Sequence, residues 1–123
     1  MNGLILYDQT SGANAALDTG PLDVSRADLL TIILTLAGGS PAGGGPQVNF
    51  IDANGGGVQL AGTGNLTAAA TLAQFSIGIT AAGSFGGVAS AACALPRQVR
   101  LIMPAQGVGV TCRMVIVAAQ LGK

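Results

Sequence analysis

The chain has 123 residues, which is enough for one domain around one hydrophobic core and too few for two. Half of the residues are apolar but only 3% are aromatic, so the core must consist mainly of aliphatic side chains. Five basic residues balance five acidic ones without any basic run, which argues against nucleic acid or an anionic membrane surface as a partner. We expect a single domain over residues 1–123.

Charged residues are scarce as well as balanced. They make up 8% of the chain, against roughly a quarter in an ordinary soluble domain. Between Asp28 and Arg97 the only charged residue is Asp52. A surface with so few charges and no net charge favours self-association. We therefore expect other protein to cover much of this surface in the working state.

The first half of the chain contains two predicted strands. A short one over residues 4–7 follows a short N-terminal arm, and a stronger one covers residues 29–36. Leucine or isoleucine at positions 30, 32, 34 and 36 falls on one side at a period of two, which indicates a buried face. The Gly- and Pro-rich stretch 38–46 is compatible with neither helix nor interior strand, so we expect a loop there.

The second half predicts five more strands. Residues 47–51 and 58–61 flank an Asn-Gly step, which favours a β-hairpin. Residues 72–80 alternate as a strand does, although 68–73 alone are also compatible with a helical turn. Residues 98–103 and 108–119 are joined by a turn that starts at a proline, and we expect them to form a closing hairpin.

About seven or eight short strands separated by turns are typical of an all-β, antiparallel β-sandwich. Strand counting does not separate an immunoglobulin-like sandwich from a jelly roll, since both are two antiparallel sheets with crossing connections. We favour the jelly roll.

Catalytic side chains are few. The chain has no histidine and no glutamate, so the commonest general base and half of the carboxylate repertoire are missing. We expect the aspartates to accept hydrogen bonds from turn backbone; they are Asp8, Asp18, Asp23, Asp28 and Asp52. The chain is therefore predicted not to be an enzyme, with no catalytic residue and no cofactor.

Two further kinds of site have simpler explanations. Cys93 and Cys112 lie in apolar surroundings, which favours two buried thiols over one disulfide, the alternative. Asp52 and Asn54 have the alternating oxygen ligands of a calcium loop, but no further acidic ligands follow, and a hairpin turn explains them equally well. No metal site is predicted.

Arg97, Arg100 and Arg113 cluster near the end of the chain, whereas all acidic residues precede position 53. Solvated strand faces are the simpler explanation of these arginines. The alternative makes them candidate interface residues, with Arg100 and Arg113 facing each other across the closing hairpin and pairing with aspartates of a neighbouring subunit.

The same C-terminal segment resembles the small virion proteins of tailed bacteriophages. Leu95-Pro96-Arg97 leads into a strand that contains Arg100, and a glycine turn and a β-branched strand over 108–117 follow; residues 22–25 are also similar. The resemblance covers about half of the chain. It implies a capsid decoration, or cement, protein that forms homo-oligomers such as trimers and bridges subunits of the major capsid protein on the virion surface.

A carbohydrate-binding or adhesin-type sandwich is the second hypothesis. Such sites usually present exposed aromatic rings, and this chain has no tryptophan, one tyrosine and three phenylalanines. The N-terminus lacks the basic start and continuous apolar segment of a secretion signal. We therefore expect synthesis in the host cytoplasm and a place in the virion.

Overall fold

The structure is a computed structural model, and its described residues form strands and connections without a helix. The described residues are 3–12, 15–38, 47–51, 57–61, 72–79, 91–92, 94–105, 107 and 109–120. The strands are β1 (Gly3–Thr10), β2 (Leu17–Asp18), β3 (Leu22–Asp23), β4 (Leu29–Ala37), β5 (Gln47–Ile51), β6 (Gly57–Ala61), β7 (Leu72–Gly78), β8 (Ala91–Ala92), β9 (Gln98–Met103) and β10 (Thr111–Ala119). Within these ranges no helix is long and apolar enough to cross a membrane.

The strands form two sheets, which confirms the predicted all-β class. The first sheet has the order β1-β10-β4-β7-β8, and the second has the order β2-β9-β5-β6. All pairs are antiparallel except the two-residue contact between β7 and β8. β2 and β3 both pair with β9, with Leu17 opposite Met103 and Leu22 opposite Val99, so they act as one interrupted strand.

One hydrophobic cluster contains side chains from both sheets. The predicted face of β4 is buried, because Leu30, Ile32 and Leu34 have no exposed surface and Leu36 is 4% exposed. β9 and β10 alternate in the same way. The cluster consists of Leu17, Val24, Leu30, Ile32, Leu34, Leu36, Ile77, Val99, Leu101, Met103, Val110, Cys112, Met114, Ile116 and Ala118. Aliphatic and sulfur-containing side chains therefore fill the core.

The predicted closing hairpin is wrong. β9 lies in the second sheet and β10 in the first, so the connection between them crosses from one sheet to the other. Gly107 and Gly109 have φ angles of 119° and 78°, a backbone conformation that lets this connection turn sharply. Alternation indicates which face of a strand is buried but not which strand lies beside it. It therefore could not show that β9 and β10 belong to different sheets.

The remaining strand predictions are confirmed where the structure describes them, except that the last strand begins at Thr111 and not at residue 108, because Gly109 lies in the turn before it. β5 and β6 pair as the predicted hairpin, β7 covers most of residues 72–80, and β1 extends the predicted first strand in both directions. Several predicted features lie outside the described residues. These are residues 1–2 of the N-terminal arm, 39–46 of the Gly-rich loop, the helical alternative over 68–71, the turn at 52–56 with its calcium alternative, and Cys93.

We predict that Gly38→Ala destabilises the fold where the chain leaves β4. Gly38 has a φ of 95°, and a Cβ there would overlap the carbonyl oxygen of Gly109. Strain of this kind costs about 1–3 kcal/mol, which urea denaturation measures as a lower free energy of unfolding. Gly12→Ala is the matched control, because a Cβ at Gly12 has no atom within 4 Å. Equal stability of the two variants would contradict the prediction.

Candidate interaction surface

The first sheet ends at β1. Among the described residues β1 pairs only with β10, in a register that runs from Gly3 opposite Ala119 to Thr10 opposite Arg113. Its other side has no strand partner within the described part of the chain. Backbone N–H and C=O groups along such an edge can accept a further strand.

The first half of this edge strand exposes aliphatic side chains on both faces of the sheet. Leu4 is 65% exposed and Ile5 is 61% exposed. Leu4 lies opposite the buried Ala118, so its side chain is on the inner face, whereas Ile5 lies opposite Val117 on the outer face. The register shifts between Ile5 and Tyr7, which makes Leu6 a bulge that separates this half from the polar half of β1.

A groove opens beside Leu4, between β1, the end of β10 and the turn after β3. It has a volume of about 460 Å³. Its apolar lining comes from Leu4, Leu6, Val24, Ala27, Ala118 and Ala119, and its polar lining from Asp23, Ser25, Arg26 and Gln120. The wall is hydrogen-bonded in place, since the Asp28 N–H donates to the Ala119 carbonyl at 2.9 Å and the Gln120 side chain donates to the Arg26 carbonyl at 2.6 Å.

Two of the candidate interface arginines form ion pairs within the chain. Arg113 donates to both carboxylate oxygens of Asp8, at 2.9 and 2.7 Å, and so connects β10 to β1. Arg100 binds both oxygens of Asp18 and connects β9 to β2. Such two-pronged contacts are the strongest geometry of an arginine–carboxylate pair.

The structure therefore does not bring these arginines together. Because β9 and β10 lie in different sheets, Arg100 and Arg113 do not face each other across a hairpin, and that part of the prediction is wrong. Arg97 is exposed just ahead of β9, where its charge acts on Asp23. That these arginines take part in an interface stays a prediction.

Local donors hold three of the aspartates, Asp8, Asp18 and Asp23, in their ionised form. Hydrogen bonds from Arg100 and then from the Gly20 N–H lower the pKa of Asp18 to about 2. The pKa of Asp8 is lowered by Arg113, and that of Asp23 chiefly by the Ser25 N–H. The expectation that aspartates satisfy turn backbone is thus confirmed for Asp18 and Asp23, whereas Asp8 lies within a strand. The charges of Asp8 and Asp18 are thus balanced by the arginines that bind them.

The buried thiol offers little reactivity. Cys112 is a free cysteine in the core, and burial raises its pKa to about 11. Within the described ranges no three potential ligands among His, Cys, Asp and Glu lie close enough together to hold a metal ion.

Sequence reasoning missed the edge formed by β1. The sequence Leu4-Ile5-Leu6 contained the signal, because three consecutive aliphatic residues place apolar side chains on both faces of a strand. In a sheet that is covered on one side, apolar and polar residues alternate instead. The groove could not be found in this way, since its walls come from both ends of the chain.

No protein-family model matches the chain, and no curated protein matches it significantly. The chemistry of the surface therefore follows from its own residues. They provide backbone hydrogen bonding along β1, apolar burial at Leu4, Ile5 and the groove, and little unbalanced charge.

We predict that the Asp18–Arg100 pair makes the stability of the protein depend on acid pH. Because the pKa of Asp18 is lower in the folded protein than its ordinary value of 3.8, the pair stabilises the fold above about pH 4, and this contribution disappears as the pH falls through about 2. Asp18→Asn should therefore lower the melting temperature at pH 6 and not at pH 2. The effect at pH 6 should be small, since both side chains of the pair are partly exposed and water screens them.

Arg100→Gln and the double variant complete a thermal-denaturation cycle for this pair. The two single changes should not be additive at pH 6 and should become additive near pH 2. Additivity at both pH values would show that the contact contributes nothing to folding.

We predict that Cys112 is inert in the folded protein. Thiol reagents attack the thiolate, which is scarce at pH 8 when the pKa is about 11, and the surrounding core excludes the reagent. In a Cys93→Ser protein, iodoacetamide labelling followed by mass spectrometry should detect no adduct in buffer and one adduct in denaturant. Rapid native labelling would contradict the burial of this side chain.

Proposed function

We propose that this protein is a structural virion protein of the capsid decoration type, which associates with itself and binds the shell of the major capsid protein to stabilise it. Its place would be the virion surface, after synthesis in the host cytoplasm. The observation that carries the proposal is the apolar first half of β1, which exposes Leu4 and Ile5 beside a groove. An exposed strand edge with aliphatic side chains on both faces is a surface for binding other protein.

The jelly-roll fold forms part of the proposal. When β2 and β3 are counted as one strand and the two-residue β8 is omitted, eight principal strands remain in the described part of the chain. Their pairs are β1–β10, β2/β3–β9, β4–β7 and β5–β6. In chain order, the first of the eight strands pairs with the eighth, the second with the seventh, the third with the sixth and the fourth with the fifth. A long hairpin rolled into two sheets has this pairing.

The immunoglobulin-like alternative has less support. That fold keeps its last two strands side by side in one sheet, whereas β9 and β10 belong to different sheets. Jelly rolls are frequent in viral capsid proteins, but they also occur in lectins and cupins, so the functional argument depends on the surface.

The electrostatics support association through apolar contact. Two of the five basic residues are paired with aspartates of the same chain, and the net charge is zero. Burial of apolar surface contributes about 25 cal/mol per Å², and a standard interface of about 1,600 Å² can therefore be stable without ion pairs.

A structural role also fits the chemistry of the titratable groups better than a catalytic one. The chain has no histidine or glutamate. Asp8 and Asp18 have lowered pKa values because arginines bind them, whereas a general base at neutral pH needs a raised one. The Cys112 thiol is neutral and buried.

A carbohydrate-binding role is the second candidate, and the groove is the observation that favours it. Of the ten described residues that line the groove, six are apolar, four are polar and none is aromatic. Sugar sites generally combine polar groups with aromatic rings, and because no ring lines this groove, it suits protein better than a glycan.

We predict that the purified protein is oligomeric by multi-angle light scattering and binds capsids that were assembled without it from the major capsid protein of the same genome. Binding should saturate at a fixed ratio to capsid subunits in co-sedimentation and should raise the melting temperature of the shell. Raising the salt from about 0.05 to about 0.5 M should change the affinity little, because few exposed charges are available for screening.

In the control, capsids are incubated with an unrelated β-sandwich protein, which shows how much protein sediments with capsids without binding them specifically. A monomer that does not bind these capsids would refute the proposal. Specific binding on a glycan array would instead favour the carbohydrate-binding role.

A further inference from the structure

We propose that two copies of this chain pair through their β1 strands, antiparallel and across a two-fold axis near Leu4 and Ile5, so that the first sheets of both copies become one continuous sheet. The inference rests on the proposed function, whose self-association it assigns to a particular surface. The occupant of the edge is thus a second copy of the same strand.

The backbone of β1 supplies the first argument. It is an eight-residue edge strand, and its only strand neighbour among the described residues is β10. A two-fold axis perpendicular to the sheet places β1 antiparallel to its own copy, and the resulting interface closes at two chains. Unpaired N–H and C=O groups then bind each other, as they do when a strand is added to a sheet edge.

The side chains locate the axis. Leu4 and Ile5 are the exposed aliphatic residues of β1, one on each face of the sheet, whereas Asp8, Gln9 and Thr10 form its exposed polar half. An axis near Leu4 and Ile5 places aliphatic side chains of both copies against each other on both faces. Cross-strand contacts of this kind stabilise antiparallel pairs. The register shift at Leu6 separates the apolar half of β1 from its polar half, and the proposed axis lies in the apolar half.

The charges favour a second copy over a charged partner. Asp8 is the only charged residue of β1, and Arg113 of the same chain neutralises it. Two copies with zero net charge meet without electrostatic repulsion. The apolar half of β1 offers no charge that could bind a basic or an acidic partner. A second copy of β1, by contrast, supplies backbone groups and aliphatic side chains that match those of the first.

The groove is continuous with this edge. Leu4 lines it, and Leu6, Ala118 and Ala119 extend the apolar surface inward from the strand. A second chain seated on β1 therefore also covers apolar surface at the end of the sandwich. Pairing through β1 therefore covers Leu4 and Ile5, the two most exposed large hydrophobic side chains among the described residues.

The experiment compares Ile5→Lys with Ile79→Lys by sedimentation equilibrium of the full-length protein. Ile79 is the matched control, because it is 60% exposed and follows β7, which β10 and β4 separate from β1. We expect wild type and Ile79→Lys to dimerise with the same dissociation constant and Ile5→Lys to dimerise at least about tenfold more weakly. Both variants should keep the wild-type circular dichroism, since both positions are exposed.

Hydrogen exchange gives an independent measurement. Amides of β1 should become less protected when wild type or Ile79→Lys is diluted, and they should show no such concentration dependence in Ile5→Lys. A monomeric wild type, equal self-association of wild type and Ile5→Lys, or equal weakening by both lysines would overturn the pairing.

Capsid binding by the same variants separates this inference from the proposed function. If Ile5→Lys self-associates like wild type and capsids still bind both, the pairing is wrong and the decoration role stands. If Ile5→Lys is monomeric, Ile79→Lys is dimeric and capsids bind neither them nor the wild type, the pairing stands and the decoration role is wrong.

Discussion

The pairing of β4 with β10 is the interaction on which the remaining structure depends. It runs over nine residues of each strand, and it places Ile32 opposite Ile116 and Leu34 opposite Met114, all fully buried. Ala37 and Thr111, which meet at one end, are 74 positions apart in the chain. Closing so long a segment costs entropy, and burial of the shared apolar face offsets much of that cost. β1 and β7 flank this pair on its two sides.

Ion pairs connect β1 and β2, which stand at the ends of the two sheet orders, to their neighbouring strands. Asp8 and Arg113 link β1 to β10, and Asp18 and Arg100 link β2 to β9. Exposed pairs contribute little to stability because water screens them. Their geometry nevertheless favours one register, since a slip of one residue would turn Asp8 to the other face of the sheet and break its contact with Arg113.

Period-two alternation predicted the strands and their buried faces, and the Asn-Gly step predicted the β5–β6 hairpin. Neither signal identifies distant partners, so proximity along the chain suggested a β9–β10 hairpin that does not exist. β2, β3 and β8 have two residues each, too few to show a period. The distribution of charged residues along the sequence indicated Arg100 and Arg113 as candidates. Their partners, Asp18 and Asp8, are distant in the chain and become neighbours only when the strands pair. The apolar edge at Leu4 and Ile5, by contrast, was present in the local sequence.

A protein whose ions cancel within the chain must obtain its specificity from shape and backbone. Long-range electrostatic steering is weak for such a surface, and like charges do not keep copies apart. Exposed apolar side chains then have to be confined if indiscriminate aggregation is to be avoided. In the described residues of β1 they are confined to one half of the strand, bounded by the bulge at Leu6 and followed by a polar half with a neutralised aspartate. Hydrogen-bonding groups along a strand edge have a fixed direction and spacing, so they favour a partner strand in one register. Apolar contact alone has no such direction and would discriminate poorly between partners.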